Sequence, residues 1–219
     1  MGRRFVAERR RDPYYRAAQR EGLRSRAAFK LEHLDRRFRL LRPGARVLDL
    51  GAAPGGWSVV AARAVGPRGS VVAVDLRPLE PMDRVRTVRG RVGDPDLAHR
   101  LGSEPFDVVL SDLSPRISGA YATDHARSVD LVRDAWHVAS RVLAPGGSFV
   151  AKVFDGELVP GLEEEIAPSF ERLHRTKPPA SREASSEIYL VAQRYRGPPP
   201  TAAPASRGRP EVPIYSIEE

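Results

Sequence analysis

The sequence predicts an α/β fold: a mostly parallel sheet with helices on both faces and one antiparallel strand near its end. Three observations carry this expectation. Short apolar runs alternate with helical periodicity from Arg46 to Gln193. One of them, Val47-Leu48-Asp49-Leu50, runs into the turn Gly51-Ala52-Ala53-Pro54-Gly55-Gly56 and then into helical pattern at Trp57. A strand, a glycine-rich turn and a helix start are how α/β proteins hold a nucleotide-like ligand. Acids also fall at predicted strand ends, at Asp49, Asp75 and Asp112. Open parallel sheets place their ligands there.

The elements follow in order. Residues 1–11 are expected to be a flexible basic arm. Asp12-Pro13 offers an N-cap and an N1 proline, and Gly22 a C-cap, which predicts a helix over 13–21. Ser25 is expected to cap a second helix over 26–40. Its apolar face is Ala28, Leu31, Leu34 and Phe38, with Lys30 off that stripe beside Phe29. Strands are predicted over Arg46–Leu50, Ser70–Asp75, Val85–Arg89, Asp107–Ser111, Ser148–Phe154, Leu173–Lys177 and Glu187–Gln193. Helices are predicted over Gly56–Val65, from Asp94 to Leu101, over 124–143 and over 158–170, with Ala144-Pro145-Gly146-Gly147 as a turn. The last two strands can close the sheet as a hairpin. From Arg196 the chain is rich in Pro, Ala and Ser, so 196–219 is expected to be a disordered tail around one domain over 12–195.

Composition narrows the function. The chain has 219 residues and no cysteine, which excludes disulfides and thiolate metal sites. No apolar run reaches membrane-spanning length, and the Arg-rich start has no apolar signal segment, so a cytoplasmic protein with no membrane partner is expected. Residues 1–42 hold thirteen arginines and one lysine against five acids, a net +9, while the whole chain is +8. A basic end beside a nearly neutral body suggests a polyanionic partner, most simply nucleic acid. Of 36 basic residues only Lys30, Lys152 and Lys177 are lysines. Where an Arg-rich chain uses Lys, a group able to give up its proton is a candidate requirement.

The glycine turn is neither a dinucleotide fingerprint nor a Walker A loop, since no Gly-Lys-Ser/Thr follows. Without a phosphate-binding lysine it suits a ligand with an adenosine and no phosphate. Asp75, about 20 residues further on, can accept from both ribose hydroxyls. Asp112 opens a loop with Pro115 and Gly119, a typical active-site position. Lys152 stands inside Val150-Ala151-Lys152-Val153-Phe154, where an ammonium needs a partner. Glu187 begins the last strand.

Four stretches carry a resemblance. They are Ser25-Arg26-Ala27-Ala28-Phe29-Lys30-Leu31, Asp49 through Ser58, Ser111-Asp112-Leu113-Ser114-Pro115, and Leu143 through Phe154. Together they resemble the FtsJ-type family of S-adenosylmethionine-dependent RNA 2′-O-ribose methyltransferases. Within it they are most similar to the branch acting on a uridine of large-subunit ribosomal RNA. The resemblance implies a Rossmann-like methyltransferase fold with a seven-stranded sheet. It places a catalytic tetrad on Lys30, Asp112, Lys152 and Glu187, with Lys152 as base, Asp112 orienting it, and Lys30 with Glu187 holding the ribose. A ribose hydroxyl must lose its proton as it attacks. A lysine serves as base only as the free amine, which burial or a nearby like charge favours; Lys30 and Lys152 converging would supply that charge.

For the cofactor, S-adenosylmethionine, the resemblance implies a turn built from Gly51, Gly55, Gly56 and Trp57. Gly55 and Trp57 lie against the methionine end, Asp75 on the ribose and Asp112 near the amino group. The family's adenine-binding acid is replaced by Arg91, which leaves either Asp94 or backbone groups for the adenine. The implied partner is ribosomal RNA in the large ribosomal subunit, bound by the basic helices of 12–42, with no metal and a monomeric enzyme. A transfer RNA substrate, and a non-catalytic RNA-binding or ribosome-assembly module, remain alternatives.

Overall fold

The computed structural model describes residues 24–179 and 185–197. The arm over 1–11, the helix expected over 13–21 and the tail from 198 lie outside the described residues. Seven strands form one sheet in the order β3-β2-β1-β4-β5-β7-β6. β1 (Arg46–Leu50), β2 (Ser70–Asp75), β3 (Val85–Arg89), β4 (Phe106–Ser111) and β5 (Leu143–Phe154) pair in parallel. β7 (Glu187–Tyr195) runs antiparallel between β5 and β6 (Phe170–Thr176). The expected hairpin is therefore present, with its second strand inserted into the sheet.

The helices are α1 (Ala27–Phe38), α2 (Gly56–Val65), α3 (Leu97–Leu101), α4 (Tyr121–Val142) and α5 (Val159–Ile166). Strand residues alternate between faces, so each strand feeds two cores. Leu48, Val72, Val109 and Val153 pack with α4 and α5. Val47, Val71, Val108 and Val150 pack with α1 and α2. The strand order reverses between β1 and β4, and a ligand crevice forms outside the carboxyl ends at such a point. There the chain puts the glycine turn after β1 and Asp112 after β4.

Several boundaries differ from the sequence expectation. β5 starts at Leu143, with the predicted turn inside it: Leu143 pairs with Phe106, then Ser148 with Val108. The residues between form an irregularity that turns on Gly146, whose φ is +78°. α5 stops at Ile166 and a 3₁₀ turn over Ala167–Ser169 leads into β6 at Phe170. Pro168 has no N–H to continue the helix. α4 begins at Tyr121, ahead of the expected start at residue 124. α1 is preceded by Arg26 as its N-cap, with no side-chain capping bond. Ser25 packs on α2 instead: a Cβ on Gly56 would lie 2.1 Å from its Oγ.

Candidate active site

The glycine turn is fixed from β2. The N–H groups of Gly51 and Ala52 both donate to Val74 O, at 2.9 and 3.1 Å. Gly51 (φ +77°) and Gly55 (φ +105°) hold conformations that side chains disfavour. Neighbours also close on them, since a Cβ would meet Leu113 at 2.7 Å and Met82 Sδ at 2.6 Å. Asp75 takes the Ala53 N–H on Oδ2 at 2.9 Å and the Arg77 N–H on Oδ1 at 2.8 Å. Each carboxylate oxygen has a second lone-pair site for a ligand.

Beneath the turn, Asp49 is fully buried. Ser58 Oγ donates to its Oδ2 at 2.6 Å, while Oδ1 has no hydrogen-bond partner. Burial, opposed by the Ser58 bond and reinforced by the charges of Asp112 and Asp75, pushes its pKa up to about 7. Trp57 is buried. Its Nε1 donates to Ala27 O at 2.7 Å, so the indole braces α1 from the start of α2.

The loop after β3 settles the relation between Arg91 and Asp94. The Arg91 side chain is exposed, and its N–H donates to Asp94 Oδ2 at 2.8 Å. Gly90 N–H donates to Asp75 O at 3.0 Å. The turn holding Asp94 is thus tied to the end of β2.

The other half of the site gathers on β5 and β7. Lys152 Nζ lies 3.2 Å from Asp112 Oδ1 and donates to Asp112 O at 3.1 Å. Lys30 Nζ lies 2.5 Å from Glu187 Oε2. Both lysines are only 6% exposed. Lys30 is therefore not outside the apolar stripe of α1, as expected from the sequence. It stands one turn before Leu34, at the stripe's inner rim, and points to the sheet end. The two lysines do converge, and two carboxylates balance them. Burial raises the pKa of Glu187 most, but the charges of Lys30 and Lys152 and the bonds from Lys30 and Ser185 outweigh it, leaving Glu187 below the ordinary carboxylate range.

Tyr189 joins the two pairs, and the sequence reading gave it no role. It lies opposite Lys152 in the β5–β7 register. Its hydroxyl donates to Asp112 Oδ1 at 3.1 Å, and Lys30 Nζ sits 5.6 Å from its ring centre. Trp57 packs on it at 5.7 Å. Burial, then the charges of Asp112 and Glu187, hold its hydroxyl well above the ordinary tyrosine pKa. A signal was available: Tyr189 is two residues beyond Glu187 on one strand, hence on the same face, and a buried tyrosine needs a partner.

Among the described residues no group of three or more His, Cys, Asp or Glu could hold a metal ion, and no helix is long and apolar enough to cross a membrane.

This switch-point sheet, with a glycine turn and a Lys-Asp-Lys-Glu cluster at its carboxyl end, defines a methyltransferase of the Rossmann-like class. The family model for FtsJ-like methyltransferase matches residues 23–195. The chain belongs to that family. It is similar to proteins named Ribosomal RNA large subunit methyltransferase E. Identity is 47% over 189 residues with the Halorubrum lacusprofundi protein, covering 84% of this chain and 70% of that one. It is 45% over 202 residues for Methanothermobacter thermautotrophicus, covering 90% and 96%. It is 41% over 203 residues for Coxiella burnetii, covering 89% and 96%. Among solved structures, a ribosomal RNA methyltransferase from Plasmodium falciparum matches with a TM-score of 0.72 at 28% identity, covering 80% of this chain and 99% of that one.

Proposed function

We propose that this protein transfers a methyl group from S-adenosylmethionine to a ribose 2′-hydroxyl of RNA, on a uridine of large-subunit ribosomal RNA in the cytoplasm. One observation carries the reading: the buried Lys152 and Lys30 pair with the half-buried Asp112 and Glu187 around Tyr189, on the sheet end that also bears the glycine turn. The names of the relatives support the choice of RNA.

The donor set beside the turn fits the cofactor. Asp75 at the end of β2, Asp112 after β4 and Asp94 in the turn after β3 offer acceptors, and the glycine turn has no phosphate-binding lysine. Such a set suits a ligand with hydroxyls, amino groups and positive charge. Asp75 would take the ribose hydroxyls, Asp94 the adenine amino group and Asp112 the methionine ammonium, over the amides of Gly51 to Trp57. S-adenosylmethionine supplies, when bound, a methyl group activated by its sulfonium.

The chain's own residues then act on the RNA ribose. Lys152 is the acceptor for the 2′-hydroxyl proton as the ribose oxygen attacks the methyl group. Asp112 and Tyr189 set the direction of that amine. Lys30 and Glu187 hold the ribose so that its oxygen faces the methyl group, and positioning of this kind carries much of the rate. Arg36 and Arg37, exposed in the last turn of α1, would meet the RNA phosphates.

The test is a map of ribose methylation over total RNA with and without the protein. Loss of one large-subunit uridine mark is expected. An unchanged map overturns the reading, and loss of a transfer RNA mark overturns its substrate half.

A further inference from the structure

Four large apolar side chains are exposed among the described residues, and three of them follow β4 and β5: Ile117 (62%), Tyr121 (57%) and Leu158 (44%). The mechanism above uses none of them. Tyr121 opens α4. Its ring lies parallel to that of His125, at 6.1 Å and 8°. Its hydroxyl donates to the carbonyl of Asp155. Asp155 directly follows β5, and its N–H donates to Ser186 O at 2.8 Å, one residue before Glu187. The residue is thus tied to the strand ends that carry Lys152 and Glu187, with its ring parallel to the imidazole and more than half of its surface exposed.

The surroundings of the ring are set in advance. His125 Nδ1 lies 2.9 Å from Phe154 O, and Leu158 N–H donates to its Nε2 at 3.1 Å. Asp124 accepts the Ser118 and Gly119 N–H groups at 2.8 and 3.1 Å, which pins the loop carrying Ile117. A rigid aromatic surface binds at low entropic cost. The charge around it is also matched to RNA. Arg116, in the loop before α4, and Arg127, in α4, are both exposed and joined through Arg127 Nη1 to Arg116 O at 3.4 Å. Asp155 is countered by Arg175 at 3.4 Å. Glu157 is the other exposed acid of this segment.

Resting on the RNA methyltransferase reading, the geometry points to Tyr121, flanked by Ile117 and Leu158, as the platform on which a nucleobase next to the methylated ribose stacks. Single-stranded RNA is bound by stacking splayed bases on aromatic rings, with arginines on the backbone. Asp155 lies three residues beyond Lys152, about 10 Å along the strand. That separation reaches from the reacting ribose to a flanking base. Tyr121 is a positioning residue, since it touches neither the cofactor groups nor the tetrad.

The experiment measures methyl transfer to unmethylated, transcribed large-subunit ribosomal RNA by the full chain, with cofactor affinity by calorimetry as the folding control. Tyr121→Leu keeps an apolar side chain and removes the ring. It should raise KM for RNA about tenfold, the scale of one base stack removed, with kcat and cofactor affinity near wild type. Tyr121→Phe should restore the wild-type KM. Failure of the wild type to methylate this RNA both free and within large subunits that lack the mark would sink the functional reading itself. A competent wild type matched by Tyr121→Leu in KM would sink the platform alone. In parallel, RNA substituted with 4-thiouridine is irradiated with the wild-type protein, which needs no variant to fold. Crosslinks within residues 116–127 are expected; crosslinks confined elsewhere overturn the proposal. A KM that rises only on assembled subunits would assign the patch to a ribosomal protein and also overturn it.

Discussion

In the proposed mechanism the chemistry turns on Lys152 and Asp112, and the burial of Lys152 against a half-buried Asp112 sharpens what each substitution does. Lys152→Ala should lower kcat by about a hundredfold or more, the scale of general-base catalysis, with cofactor affinity by calorimetry unchanged. Lys152→Arg should fail equally, because a guanidinium does not give up its proton. If either variant retained wild-type turnover, Lys152 would not be the base. Tyr189→Phe leaves Asp112 without one donor and should cost about 1 kcal/mol of stability, with a several-fold fall in kcat. Asp49 gives a pH prediction. Its carboxyl has a folded pKa of about 7 against an ordinary 3.8. Between these values the folded chain keeps a proton that the unfolded chain releases. Its contribution is therefore fully present below the lower value and lost as pH rises through the upper one, with a slope of at most about 1.4 kcal/mol per pH unit. Asp49→Asn should remove that slope and be more stable than wild type at pH 8, in urea titrations of both proteins at pH 5 and 8. Identical slopes would refute the assignment.

At the scale of elements, the site depends on how α1 and β7 are pressed onto the sheet. α1 brings Lys30 to Glu187 because Ala28, Leu31 and Leu34 are buried against α2 and the sheet. Leu34→Ala should cost about 2–5 kcal/mol, seen as a lower urea midpoint. It should also reduce methyl transfer beyond what the lower stability explains, because it loosens the rim on which Lys30 stands. The glycine turn was legible as a motif, since three glycines and a proline between a strand and a helix have few structural uses. The seating of its neighbours was not. Ser25 was expected as a helix cap, yet it packs on Gly56, because only a glycine there leaves room for it. The start of β5 at Leu143 was hidden for a related reason. Ala144-Pro145-Gly146-Gly147 has turn composition, and pairing of Leu143 with Phe106 across the sheet overrides that local signal.

For the whole molecule, charge and topology divide the work. The carboxyl edge of the sheet carries the glycine turn and the cluster of Lys30, Asp112, Lys152 and Glu187, while the basic charge is concentrated in residues 1–42. Removing residues 1–11 deletes five arginines. RNA affinity should fall, and the slope of log affinity against log salt should shrink by about 0.7 for each phosphate that is no longer neutralised. An unchanged slope would show that this segment neutralises no phosphates. The amino-acid sequence by itself determined the strand–helix alternation and the glycine turn with Asp75 and Asp112 at strand ends, whereas the grouping of Lys30, Asp112, Lys152 and Glu187 came from the family resemblance. These signals are local: periodicity, turn chemistry and motif spacing need no knowledge of distant neighbours. Only the tertiary structure decided that Lys30 is buried rather than off its helix stripe, that Trp57 braces α1, and that Tyr189 links both ion pairs. It also decided that Asp94 accepts the Arg91 N–H while the Arg91 side chain is exposed. Each of these depends on which strand lies beside which, and the insertion of β7 between β5 and β6 is a long-range pairing that no local pattern encodes.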